Sequence, residues 1–198
     1  MKTGSRGRLV RTGAAVLLAV GVLAANAAVP DWQRKYRPLA TRGTVDEVVN
    51  AGPFTMRVDR VELARSLASG SLTGSGQLPT PGIWVVVWAR MKVHEEPTSA
   101  SSVALLTRDG HRYRASDRPD LQRLLNEQSL EPGIGRYGAF VFEIPPERLA
   151  GARLLVSTAL VPTLGPQARI DLGLDAERLA GMVEHAPRGY ELSEVGFR

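Results

Sequence analysis

Few side chains in this sequence could run a reaction, and their spacing limits what each could do. Three histidines and no cysteine stand among 198 residues, so thiolate catalysis, thiolate metal ligands and disulfides are excluded. His94 is followed by Glu95 and Glu96, types that serve as metal ligands or as a general base. A structural metal site needs three or four ligands at close spacing, yet His111 and His185 fall in separate turn and tail contexts. The triplet reads as a solvated strand end. Asp109, Asp117 and Asp120 lack the spacing of a calcium loop and suit turn and helix-cap roles instead.

Residues Gly133-Ile134-Gly135-Arg136-Tyr137-Gly138 satisfy G-x-G-x-x-G. A dinucleotide site needs a strand before that motif and a helix N-terminus after it, so that backbone N–H groups meet the pyrophosphate. Here Glu131-Pro132 precedes and a strand pattern comes after, which makes it a turn. Serine is plentiful, but there is no G-x-S-x-G and no Ser/His/Asp set can be assembled. Trp84 and Trp88 share one face of a strand and could stack a sugar; their Val and Ile neighbours favour core packing. Arg112, Arg114 and Arg118 could rim a site for an anionic polymer or lipid surface, though the nearby aspartates favour a solvated face. No catalytic residue, cofactor-binding residue or metal ligand is assigned, and no cofactor is expected.

The elements that would position these groups keep to a period of two. Residues 44–49 read as a first strand. Phe54, Met56 and Val58 alternate with polar residues in a second, which continues raggedly through Val61 and Leu63. Residues 66–82, rich in Ser, Gly, Thr and Pro, read as an exposed loop. Residues 83–89 are apolar in both alternating sets and predict a central strand covered on both faces. Asp109-Gly110 joins strands over 103–107 and 111–115 as a hairpin. Asp117 to Asp120 opens a short helix with Leu121, Leu124 and Leu125 on one face. Further strands are expected over 137–144, 153–161 and 168–174, then a helix over 175–184 with Leu179, Met182 and Val183 inward. A polar tail runs from Pro187. The fold class expected is all-β, an antiparallel sandwich with short peripheral helices.

Residues 13–29 form the only long uncharged run, preceded by Lys2, Arg6, Arg8 and Arg11 and closed by Pro30. Such a pattern directs the chain beyond it across a membrane. It reads as a retained transmembrane anchor behind a basic cytoplasmic end (1–12), or as a secretory signal cleaved after Ala27. A polar stalk (30–42) leads to the sandwich (43–174) and to the short helix and tail (175–198). Of the 25 basic and 20 acidic residues, eight basic and one acidic lie in residues 1–42. That segment is thus net +7 and the remainder −2, so the folded part lacks the electrostatic footprint of a nucleic-acid binder. The partners expected are the membrane, through residues 13–29, and a membrane or envelope protein.

Gly82 to Val87, a turn carrying Pro97, Leu106-Thr107-Arg108-Asp109-Gly110-His111-Arg112-Tyr113, Leu130-Glu131-Pro132-Gly133 and Phe140 to Pro145 succeed one another in a recognisable order. Over residues 43–161 this resembles the bacterial extracytoplasmic immunoglobulin-like domains of unknown function, sometimes labelled telomeric-repeat-binding-factor-2-like. The resemblance implies an immunoglobulin-like sandwich behind a signal or anchor helix, with no defined catalytic residues. The function expected is a non-enzymatic binding or accessory module of the cell envelope. Recognition would fall on residues 66–81, residues 112–128 or the tail. The alternative is an envelope-polymer hydrolase with an unrecognised site.

Overall fold

Apolar residues at every second position put Phe54, Met56 and Val58 on one face of a long strand; Val61 and Leu63, of opposite parity, join the same core. The change of parity is absorbed by a register shift between Val58 and Arg60. One extra residue in a strand flips every side chain after it, so the bulge at Asp59 is what keeps both sets inward. A second shift between Ala64 and Ser66 turns the chain over again and sends Leu67 to the opposite face, with Ala64.

The computed structural model describes residues 40–68, 76–159 and 165–197. Among them ten strands form two five-stranded sheets. The first sheet orders β1 (Ala40–Thr44), β9 (Gln167–Asp171), β8 (Arg153–Ser157), β5 (Ser102–Leu106) and β6 (Arg112–Arg114). The second orders β10 (Gly196–Phe197), β7 (Arg136–Ile144), β4 (Gln77–Val93), β3 (Phe54–Ala68) and β2 (Val48–Asn50). Strand pairs are antiparallel except β1·β9, which is parallel. The result is a β-sandwich. Among the described residues one α-helix, α1 (Ala176–Glu184), begins where Asp175 accepts from the backbone N–H of Arg178 at 2.8 Å. It buries Leu179, with Met182 and Val183 against the core.

The strand over residues 83–89 is central, as its two apolar sets require. Ile83, Val85, Val87 and Ala89 enter the core between the sheets. Trp84, Val86 and Trp88 enter a second cluster on the outer face of the second sheet, with Leu124, Val141 and Leu192.

That outer cluster exists because the tail is not a solvated appendage. Tyr190 bridges Leu67, with its N–H on Ser66 O at 2.9 Å and its carbonyl accepting from Ala68 N at 2.8 Å. Leu192 is buried, and Gly196 and Phe197 pair with Tyr137 and Arg136 of β7. The segment straps the outer face from the edge of β3 to the edge of β7.

Other expectations are corrected. Residues 44–49 are not one strand: β1 begins at Ala40, within the expected stalk, and a turn at Asp46, with φ of 69°, separates it from β2. Within the expected loop, residues 66–68 and 77–82 are strand, since β3 runs to Ala68 and β4 starts at Gln77, with Leu67 fully buried; residues 69–75 lie outside the described residues. The helix expected after Asp120 is two 3-10 turns, Leu121–Arg123 and Leu125–Glu127. Leu124 and Leu125 go to opposite clusters and Leu121 is exposed. Among the described residues no helix is long and apolar enough to cross a membrane; the expected span, residues 13–29, lies outside them.

Candidate functional site

Gly133 has a φ of 79° and ends a turn, while Gly138 lies inside β7. The G-x-G-x-x-G run therefore opens a strand and offers no helix N-terminus to a phosphate. His94, Glu95 and Glu96 are exposed just past the end of β4. His185 sits at the C-terminus of α1, its Nδ1 2.8 Å from Gly181 O. Among the described residues no group of three or more His, Asp or Glu is placed to hold a metal ion.

His111 is the one histidine beside a carboxylate. Its Nδ1 lies 2.9 Å from Asp109 Oδ2 in the β5–β6 turn, where both side chains are more than half exposed. The Thr107 hydroxyl donates to Asp109 Oδ1. That hydrogen bond, with His111 and Arg148 contributing charge, holds the Asp109 carboxyl below its usual range. The order of contacts is wrong for an activated nucleophile. The hydroxyl bonds the carboxylate rather than the imidazole, so the base that faces its proton is a carboxylate held below its usual range, a poor proton acceptor.

Trp84 and Trp88 are fully buried and cannot receive a sugar ring. Trp88 Nε1 donates to Glu62 Oε2 at 2.8 Å, Trp84 Nε1 to Leu78 O at 3.0 Å. Arg60 lies 4.9 Å over the Trp88 ring and Arg118 lies 5.4 Å over that of Trp84. Arg118 also pairs with Glu143, so it leaves Arg112 and Arg114, which are exposed on β6. Asp120 caps the first 3-10 turn through Gln122 N at 3.1 Å, as its position predicts.

The structure brings together a set that sequence spacing did not announce. Residues 99–103, running into β5, face Arg114 at the end of β6, Ala115 and Asp117 beyond it, and Asn126 and Glu127 of the second 3-10 turn. Between them lies an open cleft of about 700 Å³. Its polar groups include Ser99, Ser101 and Ser102 as well as the charged side chains of Arg114, Asp117 and Glu127. Asn126 Nδ2 donates to Glu127 Oε1 at 2.7 Å, while its Oδ1 is buried with no hydrogen bond among the described residues. Reversing the amide would aim its oxygen at the Glu127 carboxylate, so the neighbour fixes this orientation. A buried acceptor without a donor costs about 1–3 kcal/mol. The cleft holds hydrogen-bond donors and acceptors, but no histidine.

No family model matches the sequence, and no curated protein matches it. Three solved structures are similar. One is an uncharacterised β-sandwich protein from Clostridium difficile 630, at 12% identity over 68% of this chain and 95% of that one, with a TM-score of 0.43. The yjhA protein from Bacillus subtilis is 14% identical over 66% and 99%, with a TM-score of 0.49. The secreted protein MPT63 from Mycobacterium tuberculosis is 11% identical over 68% and 97%, with a TM-score of 0.42.

Proposed function

We propose that this chain is a non-enzymatic binding or accessory module of the bacterial cell envelope, an immunoglobulin-like domain held outside the membrane by one N-terminal helix over residues 13–29. The observation that carries the reading is the cleft between residues 99–103 and the connection after β6. It is open and lined by serine hydroxyls and by the charged side chains of Arg114, Asp117 and Glu127, groups that recognise a polar partner by hydrogen bonding. Part of it falls on the 112–128 segment, where loops on a rigid sandwich carry recognition. The basic flank of residues 1–11 and the apolar run behind it support the tether.

The test is capture of partners by full-length protein extracted from membranes, followed by mass spectrometry. One stoichiometric envelope partner, lost on Asn126→Leu or Arg114→Glu, is the expected result; capture unaffected by both substitutions overturns the cleft as the site. The rival reading, a hydrolase of envelope polymers, draws only on the contact between His111 and Asp109. Turnover of cell-wall fragments that disappears in His111→Ala would replace the binding reading with it.

A further inference from the structure

Both strands that flank the centre of the second sheet have their far sides bounded by other parts of the chain. Beside β7 lie β10, the bridge from Leu124 to Ala139 and the bond from Ser116 N to Val141 O at 2.7 Å. Beside β3 lie β2 at one end and the strap at the other, where Arg65 N bonds Pro187 O at 2.8 Å. In the first sheet, β5 is different. Its pairing with β8 runs from Ser102 to Leu106, whereas β6 is in register only with Ala104 to Leu106. The last bond of that ladder goes from Ala115 N to Val103 O at 3.0 Å. The chain then crosses to the second sheet, where Ser116 N meets Val141 O. Upstream of Val103, the side of β5 that β6 has left opens into the cleft, which Arg114, Ala115 and Asp117 line and no residue of β8 does.

The segment along that opening is held at both ends. Thr98 and Leu130 exchange backbone bonds at 3.1 and 2.7 Å, and Ser102 is in register with Ser157 of β8. Between them the Ser101 hydroxyl donates to Thr158 O at 3.2 Å. Ser101 N turns back to Ser99 O at 2.9 Å. The Ser101 carbonyl and the Val103 N–H, which lies outside the pairing with β6, are then the groups that alternation directs at the cleft. Ala100 and Val103 are buried beneath it, and its rim is charged. Neither Arg114 nor Asp117 makes a side-chain hydrogen bond or ion pair among the described residues, and Glu127 accepts only from Asn126. The arginines nearby are already engaged, Arg118 with Glu143 and Arg123 with Asp120 and Glu191. Asp117 and Glu127 against Arg114 make the rim net acidic.

We propose that the cleft receives an extended peptide segment of a partner protein, which adds beside residues 99–103 as a short strand and presents a lysine or arginine to Asp117 and Glu127. The proposal rests on the reading of this cleft as the recognition site and names what is recognised there. An added strand binds through main-chain hydrogen bonds, while its alternate side chains set specificity. Residues 99–103 run at most about 17 Å, a length that a hexapeptide matches. The cleft volume of about 700 Å³ falls in the range of ligand sites. Because the edge is pinned before the partner arrives, little of its own chain has to be ordered on binding. Among the described residues no aromatic ring lines the cleft, so a sugar finds no stacking face there.

The probe is a displayed library of random hexapeptides, selected on full-length protein in detergent. Enriched peptides should carry lysine or arginine, and amide hydrogen exchange over residues 99–103 should slow several-fold in their presence. N-methylation at every second position of an enriched peptide should weaken binding about fivefold, the worth of one main-chain hydrogen bond, and much less at the positions between. Asp117→Lys combined with Glu127→Lys should turn the enrichment toward acidic peptides. Glu96→Lys, outside the cleft, should leave it basic, and circular dichroism checks that both variants are folded. No enrichment, or enriched peptides indifferent to N-methylation, overturns the proposal. So does exchange at 99–103 that slows with protein concentration alone, which would assign the edge to a second copy of this chain. The wider reading fails separately. A captured envelope partner that depends on Arg114 but leaves exchange at 99–103 unchanged keeps the cleft as the site and removes strand addition. Capture indifferent to both Asn126→Leu and Arg114→Glu removes both.

Discussion

The Tyr190 hydroxyl donates to Glu62 Oε2, closing a contact across 128 positions of sequence. The same carboxylate oxygen accepts from Trp88 Nε1, and Arg60 approaches Glu62 Oε1 at 3.3 Å. Tail, β3 and β4 therefore meet at one carboxylate beside the outer apolar cluster. The hydrogen bonds fix where the strap crosses the sheet; the apolar cluster beneath it supplies the burial.

Tyr190→Phe should lower stability by about 1 kcal/mol, the usual net worth of such a bond, in urea unfolding. Its pH dependence is more specific. Burial first, then the hydrogen bond to Glu62, raises the Tyr190 pKa above its ordinary value near 10. A raised pKa means that this stabilisation is complete below the unfolded value and is lost as pH rises through the folded one. The wild type should thus weaken above about pH 10 more steeply than Tyr190→Phe. Parallel alkaline curves would dissociate Tyr190 from this effect.

Leu192→Ala removes the side chain that the strap sends into the Trp84–Trp88 cluster. With Leu192 2% exposed, the cost should fall in the range of about 2–5 kcal/mol seen for buried leucines. Loosening the strap also admits water to both indoles, so tryptophan emission should shift to the red under native conditions. Unchanged emission together with a loss below about 1 kcal/mol would mean that the tail adds little burial.

Much of this fold could be read along the chain, because local pattern and burial coincide. Residues 83–89 are apolar at both parities and lie between two clusters. The ragged pattern after Val58 marks the bulge that rescues Val61 and Leu63. Asp109-Gly110 turns, with Gly110 at a φ of 87°. Where tertiary context governs, pattern misled. Leu121, Leu124 and Leu125 have helical spacing, yet Leu124 and Leu125 are drawn to opposite sides of the second sheet, and two tight turns achieve that where one helical face cannot. Tyr190 and Leu192 sit among polar residues with no period, so nothing local announced the strap. The cleft depends on which strands become neighbours, a fact of topology that no sequence window contains.

Gly82→Ala should destabilise the sandwich although it adds a single methyl group. A Cβ at Gly82 would stand 2.5 Å from Ile144 O and 2.8 Å from Ile144 C, both backbone atoms of β7. Backbone of a strand paired along its length with β4 cannot rotate away as a side chain can. The expected loss is about 1–3 kcal/mol in chemical denaturation. Gly181→Ala is the control, because nothing lies within 4 Å of its Cβ position and alanine favours a helix by about 1 kcal/mol.

Thr107→Val tests the electrostatics of the β5–β6 turn. The Thr107 hydroxyl is the first cause of the lowered Asp109 pKa, so losing it should return that carboxyl toward its ordinary value, read by NMR titration of the side chain. A carboxylate with a depressed pKa stabilises the fold above its unfolded value and loses that contribution as pH falls through the folded one. The wild type should therefore lose more stability than Thr107→Val between about pH 4 and the folded value. The His111 partner gives a second readout: His111→Ala should move the Asp109 titration less than Thr107→Val does, because the imidazole ranks below the hydroxyl among the causes. The opposite order would make the Asp109–His111 pair the dominant interaction in the turn and would strengthen the hydrolase reading.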